Sequence, residues 1–462
     1  MYGGKVSPPA STSKKAPISF RDTCLPILWL NRILSMIVIE VPEGRPWLML
    51  SIIYATAKWV GYGYLLWYTV KNDESRMNSI PIMAAVFQVI LYVNIVIAVL
   101  STYLGLANYK VSTSQGEFSV IDKSNFLLPK KYELYFKKIE LADETLEIFG
   151  IDPEYSSGYK DYMKITAVWS LGGALVCATD FAIACYTFSS IPYGIIRILV
   201  FEIPMVLNPM VELNFSLMIN AIGTRFERLN ALIQSVAVTP LQSMNSRNFN
   251  KYQNILNRNQ SKIAVKPNYY YKNRNNIELL LRTSRQLHLD LCATSREVND
   301  VCSRQMSMQM AAKFLLITGF AYCLYLIYND PNIPLSSKLQ HYISLGAWIV
   351  INIARMIFVV RTSVNVTSEA QKTSQIAHEI QVSKSQSNLI DEIHQLSLQI
   401  MQHPLFFTAS GLLVLDFGYV RGFVGSVTTY LMILIQNQSD MLKAATTLAN
   451  PNNDTSATTP SP

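Results

Sequence analysis

Thr429-Tyr430-Leu431-Met432-Ile433-Leu434-Ile435-Gln436 closes the last long hydrophobic stretch of the chain. Wound as a helix, Thr429, Ile433, Gln436 and Asp440 follow one another at steps of four, three and four and share one face. That face alternates polar and apolar groups, while Leu431, Met432, Leu434 and Ile435 beside it are wholly apolar. A narrow mixed stripe on a greasy helix suits the wall of a water-filled lumen. The plainer reading is a helix–helix contact, with Thr429 bonding its own backbone and Gln436 a neighbour.

Outward from that stretch, the chain is built for a membrane. Half of its 462 residues are hydrophobic and only 15% are charged, too few charges for an ordinary soluble protein of this size. The net charge of +8 does not form one basic face, so nucleic acid is not implied; the basic residues fall in loops between apolar runs. Residues 1–20 are polar and lack the apolar core of a cleavable signal peptide. The six cysteines (Cys24, Cys177, Cys185, Cys292, Cys302, Cys323) suggest no disulfide framework in outer loops.

A bilayer core takes about 20 apolar residues per helix. Seven stretches qualify: 47–70, 80–106, 163–190, 193–222, 308–329, 341–361 and 404–437. Counting Arg361 with the loop it borders, the loops on one side hold 29 Lys and Arg and those on the other hold 4. This excess predicts a cytoplasmic N-terminus and an extracellular C-terminus. The expected layout is a cytoplasmic arm (1–46), four spans with a cytoplasmic 2–3 loop (47–222), a cytoplasmic loop (223–307), spans five and six (308–361), a second cytoplasmic helical segment (362–403), span seven (404–437) and an extracellular disordered tail (438–462). Within 223–307, residues 240–276 hold ten Asn, seven Lys or Arg and no acid, which predicts a solvated, disordered insert. Leu280, Leu281, Leu287, Leu291, Val298 and Val301 keep an apolar stripe at helical spacing, as do Ile376, Ile380, Ile393, Leu396 and Ile400. Helices there are expected to extend below the membrane and pack together. The sequons at Asn437 and Asn453 would face outside as glycosylation candidates.

A Thr-Tyr pair, five apolar residues and a Gln resembles the signature of the insect gustatory receptor family. That signature continues with Phe, where this chain has Asn437. Gly223–Asn230, His288–Cys292 through Asn299, Trp348–Arg355 with Ser368–Ile380, and Leu412–Asp416 are similar to the same family, particularly its fructose-receptor branch. The resemblance covers roughly the second half of the chain. It implies an all-α homotetramer in the plasma membrane of chemosensory cells. Four copies of span seven would line a central pore, cytoplasmic helices would form an anchor domain, and a ligand would open a non-selective cation path. Thr429, Ile433, Gln436, Asn437 and Asp440 then become the pore and gate residues. An apolar ring blocks ions by dewetting and an amide ring offers oxygen to a cation. A polar Asn437 weakens an apolar barrier, which places the gate on Ile433 and the methylenes of Gln436.

Outer loops this short leave the ligand to bind between helices. Ionisable and polar groups inside spans are costly and seldom face lipid. They are Lys58, Gln88, Asn94, Asp180, Arg197, Glu202, Glu212, Lys313, Arg355 and Arg421. Lys313 and Arg355 are expected to snorkel toward inner ends, and Arg197 and Glu202 to pair or to meet ligand. Sugars are bound by an aromatic plate and by amide or carboxylate partners. Trp348, Tyr325, Tyr322, Asn352, Asp180, Glu202 and Arg197 are therefore the candidate contacts; for the aromatics, packing is the competing role. The fructose branch carries a Gln three residues before the tryptophan, where this chain has Leu345. That departure points to a related polyol such as inositol beside fructose itself.

Two other classes compete. A G-protein-coupled receptor would need the opposite orientation and its own motifs, which are missing. A transporter would show internal repeats. An odorant-receptor-like channel with a non-sugar ligand is the nearest alternative. No enzyme is indicated: His288 and Cys292 at i, i+4 make a weak metal pair, no cofactor is implied, and no nucleophile–base or phosphate-loop motif occurs.

Overall fold

The computed structural model describes residues 19–40, 47–73, 81–107, 131–187, 191–238, 274–331, 333–380 and 387–449. Ten helices occur there: α1 (Phe20–Ile33), α2 (Leu48–Asp73), α3 (Pro81–Ala107), α4 (Lys131–Ile148), α5 (Tyr155–Thr187), α6 (Ile191–Val238), α7 (Arg274–Asn329), α8 (Leu335–His378), α9 (Ser387–Gln402) and α10 (Phe417–Ala449). A two-stranded antiparallel ladder, β1 (Thr408–Ala409) with β2 (Leu413–Val414), joins α9 to α10. The 240–273 part of the expected insert and Asn453 lie outside the described residues.

Six helices are long and apolar enough to cross a membrane among the described residues: α3, α5, α6, α7, α8 and α10. The first expected span forms the 26-residue α2, but Lys58 and a scatter of Ser, Thr, Gly and Tyr dilute its apolar character. α7 is 56 residues long, about 84 Å at the helical rise, against roughly 30 Å of hydrocarbon. α6 and α8 are likewise longer than a bilayer core, and the three helices pack with α9 into a helical bundle. The predicted stripes meet there. Leu280, Leu281, Leu287, Leu291 and Val298 of α7 pack with Phe226, Leu229 and Ile233 of α6, Val366 and Ala370 of α8, and Leu389, Ile393, Leu396 and Ile400 of α9. Thr373 Oγ1 donates to Asn230 Oδ1 (2.6 Å), Asn230 Nδ2 to the Glu369 carbonyl (2.9 Å), and His288 Nε2 lies 3.0 Å from the Ala370 carbonyl. α6 and α8 approach so closely that a β-carbon at Gly223 would lie 2.8 Å from Val366.

Proline shapes α6. Pro204 and Pro209 lie inside it, and a proline removes the hydrogen bond to the carbonyl four residues earlier. For Pro204 that carbonyl is Val200, and the buried Tyr62 hydroxyl of α2 donates to it at 2.7 Å. In lipid an orphaned carbonyl must find such a partner. Nearby, Asn208 Nδ2 donates to Asn94 Oδ1 (3.0 Å) and Gln309 Nε2 donates to Asn208 Oδ1 (3.1 Å), which ties α3, α6 and α7 together.

Three expectations are corrected. Span seven does not start at 404. Residues 404–416 turn back on themselves through Ser410 and Gly411, both with positive φ, and α10 starts at Phe417 with Asp416 Oδ1 accepting from the Tyr419 amide (2.9 Å). α10 also runs to Ala449, where a disordered tail was expected from 438. Lys313 and Arg355 do not snorkel: both lie buried against Glu212, at 2.7 and 3.1 Å.

Candidate functional site

Two regions collect the predicted residues. The first lies toward the ends where α5 passes to α6 and α7 to α8. Asp180 of α5 faces α8, and the spacing of four between Ser344 and Trp348 puts both donors on one face opposite it. Trp348 Nε1 donates to Asp180 Oδ2 (2.8 Å) and Ser344 Oγ to Asp180 Oδ1 (2.5 Å). Cys177, one turn before Asp180, donates from Sγ to Glu202 Oε2 of α6 (2.9 Å). Glu202 is only 5% exposed and also interacts electrostatically with Asp180.

Around these carboxylates stands a run of rings. Trp348 meets Phe201 edge to face at 6.3 Å, Phe201 meets Phe87 at 6.4 Å, and Phe87 meets Phe320 at 5.6 Å. α3, α6, α7 and α8 each contribute one ring, and Leu345 and Ile317 fill between them. Such edge contacts contribute about 0.5–1.5 kcal/mol each beyond burial. Tyr322 and Tyr325 stack on one another at 6.5 Å on α7. The Tyr322 hydroxyl donates to Gln438 Oε1 at 3.3 Å, which makes Tyr322 a contact to α10.

The other candidates separate from this group. Asn352 donates to the Trp348 carbonyl (2.8 Å) and accepts from Arg355 (3.2 Å), so it faces the Glu212 cluster instead of the rings. Arg197 is exposed on α6. Sequence reasoning missed Phe87, Phe201, Phe320, Ser344 and Cys177. Helical spacing was the available signal for two of them, since Ser344 is four residues from Trp348 and Cys177 three from Asp180. A separate apolar cavity of about 40 Å³ lies under α1, lined by Phe20, Cys24, Tyr135, Tyr162 and Asn214 among others; none of the ring residues lines it.

The second region is α10. One face packs on α7: Phe314 meets Phe423 at 6.0 Å and Tyr430 at 5.4 Å, both edge to face. Tyr430 thus packs one edge on α7 while its side chain stays 54% exposed. Gly418, Gly422, Gly425, Thr429 and Gln436 lie on the opposite face with Ile433 at its margin, and all six are exposed. Nothing approaches within 4 Å of a β-carbon built on Gly422 or Gly425. Thr429 Oγ1 donates to the Gly425 carbonyl at 3.0 Å, so its hydroxyl is partly committed to its own backbone. Asn437 is also exposed, one step round from Gln436. The Asp440 side chain lies outside the described residues.

The β1–β2 turn couples α10 to the lower bundle. Asn299 of α7 accepts from the Thr408 amide (2.9 Å) and donates to Thr408 Oγ1 (3.3 Å), and Arg296 donates to the His403 carbonyl (2.9 Å). Phe407 is buried edge to face against Phe215 at 5.9 Å.

Solved structures of an insect olfactory receptor share this fold. The structure of the insect olfactory receptor OR5 from Machilis hrabei superposes with a TM-score of 0.59 at 11% identity, covering 90% of this chain and 98% of that one. Its complex with eugenol superposes with a TM-score of 0.58 at 10% identity, over 90% and 99%. At such identity the likeness is one of fold. In sequence, the gustatory receptor for bitter taste 66a of Drosophila melanogaster is 27% identical over 164 residues, 35% of this chain and 31% of that protein. The gustatory and pheromone receptor 32a of the same species is 28% identical over 152 residues, 33% and 32%. The chain thus spans about a third of the length of these two relatives. Nothing among these relatives singles out the fructose branch. The profile described as 7tm Chemosensory receptor matches residues 163–440, more than half of the chain, including Asp180, Glu202, Trp348 and most of α10, and the chain belongs to that family.

Proposed function

We propose that the protein is an insect gustatory receptor that acts as a ligand-gated, non-selective cation channel. Four copies of the chain surround a pore lined by α10, in the plasma membrane of chemosensory cells, with the N-terminus inside. The single observation that carries this reading is the asymmetry of α10. One face is packed on α7, and the other exposes glycines, Thr429 and Gln436 along its length. A helix long and apolar enough to span a membrane gains nothing from showing small and polar residues to lipid. Around a fourfold axis, those residues would face neighbouring copies and permeating cations, with Ile433, Gln436 and Asn437 at the narrowest ring.

The ligand of this channel is a small organic molecule held between α5, α6, α7 and α8, beside Trp348. A second reading specifies a sugar or polyol, fructose or inositol. It is favoured by the Asp180–Trp348–Ser344 group, which sets hydroxyl partners beside a ring. The test is whole-cell current from cells expressing the chain alone while fructose, glucose, sucrose, inositol and 2-phenylethanol are applied. A cation current reversing near 0 mV supports the channel reading, and the compound that evokes it decides between the ligand classes. An N-terminal epitope reached by antibody on intact cells would overturn the orientation.

A further inference from the structure

Glu212 and the Glu202–Asp180 pair are both carboxylate sites facing the helix interior, but they are satisfied differently. Glu212 is fully buried and held by two cations, Lys313 and Arg355. Glu202, ten residues earlier on α6, accepts the weak thiol donor of Cys177 and abuts Asp180, and its Oε1 is buried with no donor to satisfy it. Asp180 accepts two neutral donors, Trp348 and Ser344. Among the described residues, no lysine or arginine forms an ion pair with either carboxylate. Two ionised carboxylates side by side, one of them buried, carry a penalty of several kcal/mol that a shared proton or a bound cation relieves.

We propose that Asp180 and Glu202 bind a cationic ligand, an organic ammonium with an apolar body. The ammonium would sit between the two carboxylates, taking the free Glu202 Oε1 as its acceptor, and the body would lie along Trp348, Phe201 and Phe87. Every part of such a molecule meets its complement. Its charge meets two anions, its polarised methylenes or methyls meet ring faces that attract cations, and its carbon skeleton meets a dry aromatic wall. A neutral polyol would satisfy the hydrogen bonds while leaving the charge uncompensated. This inference rests on the region beside Trp348 being the ligand site, and is independent of what the pore conducts.

The experiment is a binding titration on the purified full-length chain in lipid nanodiscs. The probes are phenethylamine, which is cationic at neutral pH, and 2-phenylethanol, which keeps the ring and chain length without the charge; myo-inositol is the third arm. Phenethylamine is expected to bind at least about tenfold tighter than 2-phenylethanol. Glu202→Gln and Asp180→Asn should each weaken phenethylamine by about tenfold. They should weaken 2-phenylethanol much less, and Glu202→Gln should leave the ligand-free melting midpoint unchanged or raised, because it removes a buried carboxylate whose Oε1 has no hydrogen-bond partner. A purely structural role for Glu202 would instead lower the ligand-free midpoint and affect both probes alike. The wild-type comparison decides the matter even where a variant fails to fold. Equal or tighter binding of 2-phenylethanol or inositol, or no binding of phenethylamine, overturns the inference. A cation current evoked by inositol or 2-phenylethanol would then leave the channel reading standing without it.

Discussion

Glu212→Gln is the substitution with the largest consequence that the structure allows to be worked out. Glu212 is 0% exposed and balances two cations, with Lys313 Nζ at 2.7 Å and an Arg355 guanidinium nitrogen at 3.1 Å. The three groups come from α6, α7 and α8, so the cluster fastens the centre of the bundle. Its formal charge is +1, and the carboxylate is its sole anion. Neutralising that anion leaves two buried positive charges facing each other, and removing one partner of a buried ion pair costs about 3–5 kcal/mol. Lys313→Met works in the opposite sense. It leaves a balanced Glu212–Arg355 pair, with Arg355 still bonded to Asn352 (3.2 Å) and placed over Trp169 (5.8 Å). Its expected cost is below about 1 kcal/mol, since the penalty for breaking a buried pair comes from the uncompensated charge left behind and here the remaining Glu212–Arg355 pair is neutral overall. The assay is the melting midpoint of detergent-solubilised protein, read by fluorescence-detected size exclusion. The expected order is wild type close to Lys313→Met, then the Glu212→Gln/Lys313→Met double variant, then Glu212→Gln. A Lys313→Met variant as unstable as Glu212→Gln, or a double variant with no rescue, would refute the charge balance.

Tyr62→Phe should cost about 1–3 kcal/mol by orphaning the Val200 carbonyl that Pro204 leaves free, and Pro204→Ala should recover part of that loss in the same melting assay. Burial lowers the pKa of His288 from its ordinary 6.5. A base held below its unfolded value stabilises the fold fully above about pH 6.5 and loses that stability as pH falls through the folded value, so His288→Asn should flatten the melting midpoint between pH 7 and 5. Burial likewise pushes the Cys292 thiol up to about 11, so it should resist alkylation at pH 8 in the folded protein. Asn437→Phe, which restores the family aromatic, should lower resting current and raise the ligand concentration that opens the channel; unchanged currents would remove Asn437 from the gate.

Six of the seven expected spans were legible because lipid imposes a single demand, a run of apolar residues long enough to cross. The stripes at 277–307 and 370–402 were legible because helical spacing sorted Leu280, Leu287, Leu291, Ile393 and Leu396 onto buried faces. Residues 404–416 were misread because Leu412, Leu413, Val414 and Leu415 look like the start of a hydrophobic helix. The left-handed backbone at Ser410 and Gly411, which folds them into a turn, leaves only a Ser-Gly pair in the sequence. Partners across helices were illegible for a different reason. Lys313 and Arg355 each look like a snorkelling cation when a helix is read alone, and only the packing of α6 against α7 and α8 brings both to Glu212. The ring region shows the same limit. Trp348 and Asp180 were found as types of residue, while Phe87, Phe201 and Phe320 looked like ordinary apolar filler until three separate helices placed them side by side.

The central claim is that the far face of α10 borders the conduction path. Its most direct measurement is whole-cell current during application of a thiol-reactive cation to the chain carrying Gln436→Cys, Thr429→Cys or Tyr430→Cys. The account predicts rapid, irreversible block at Gln436→Cys and Thr429→Cys and no block at Tyr430→Cys, whose side chain packs on Phe314, or in the wild-type chain. Block at Tyr430→Cys with none at Gln436→Cys would turn the helix the other way and contradict the pore.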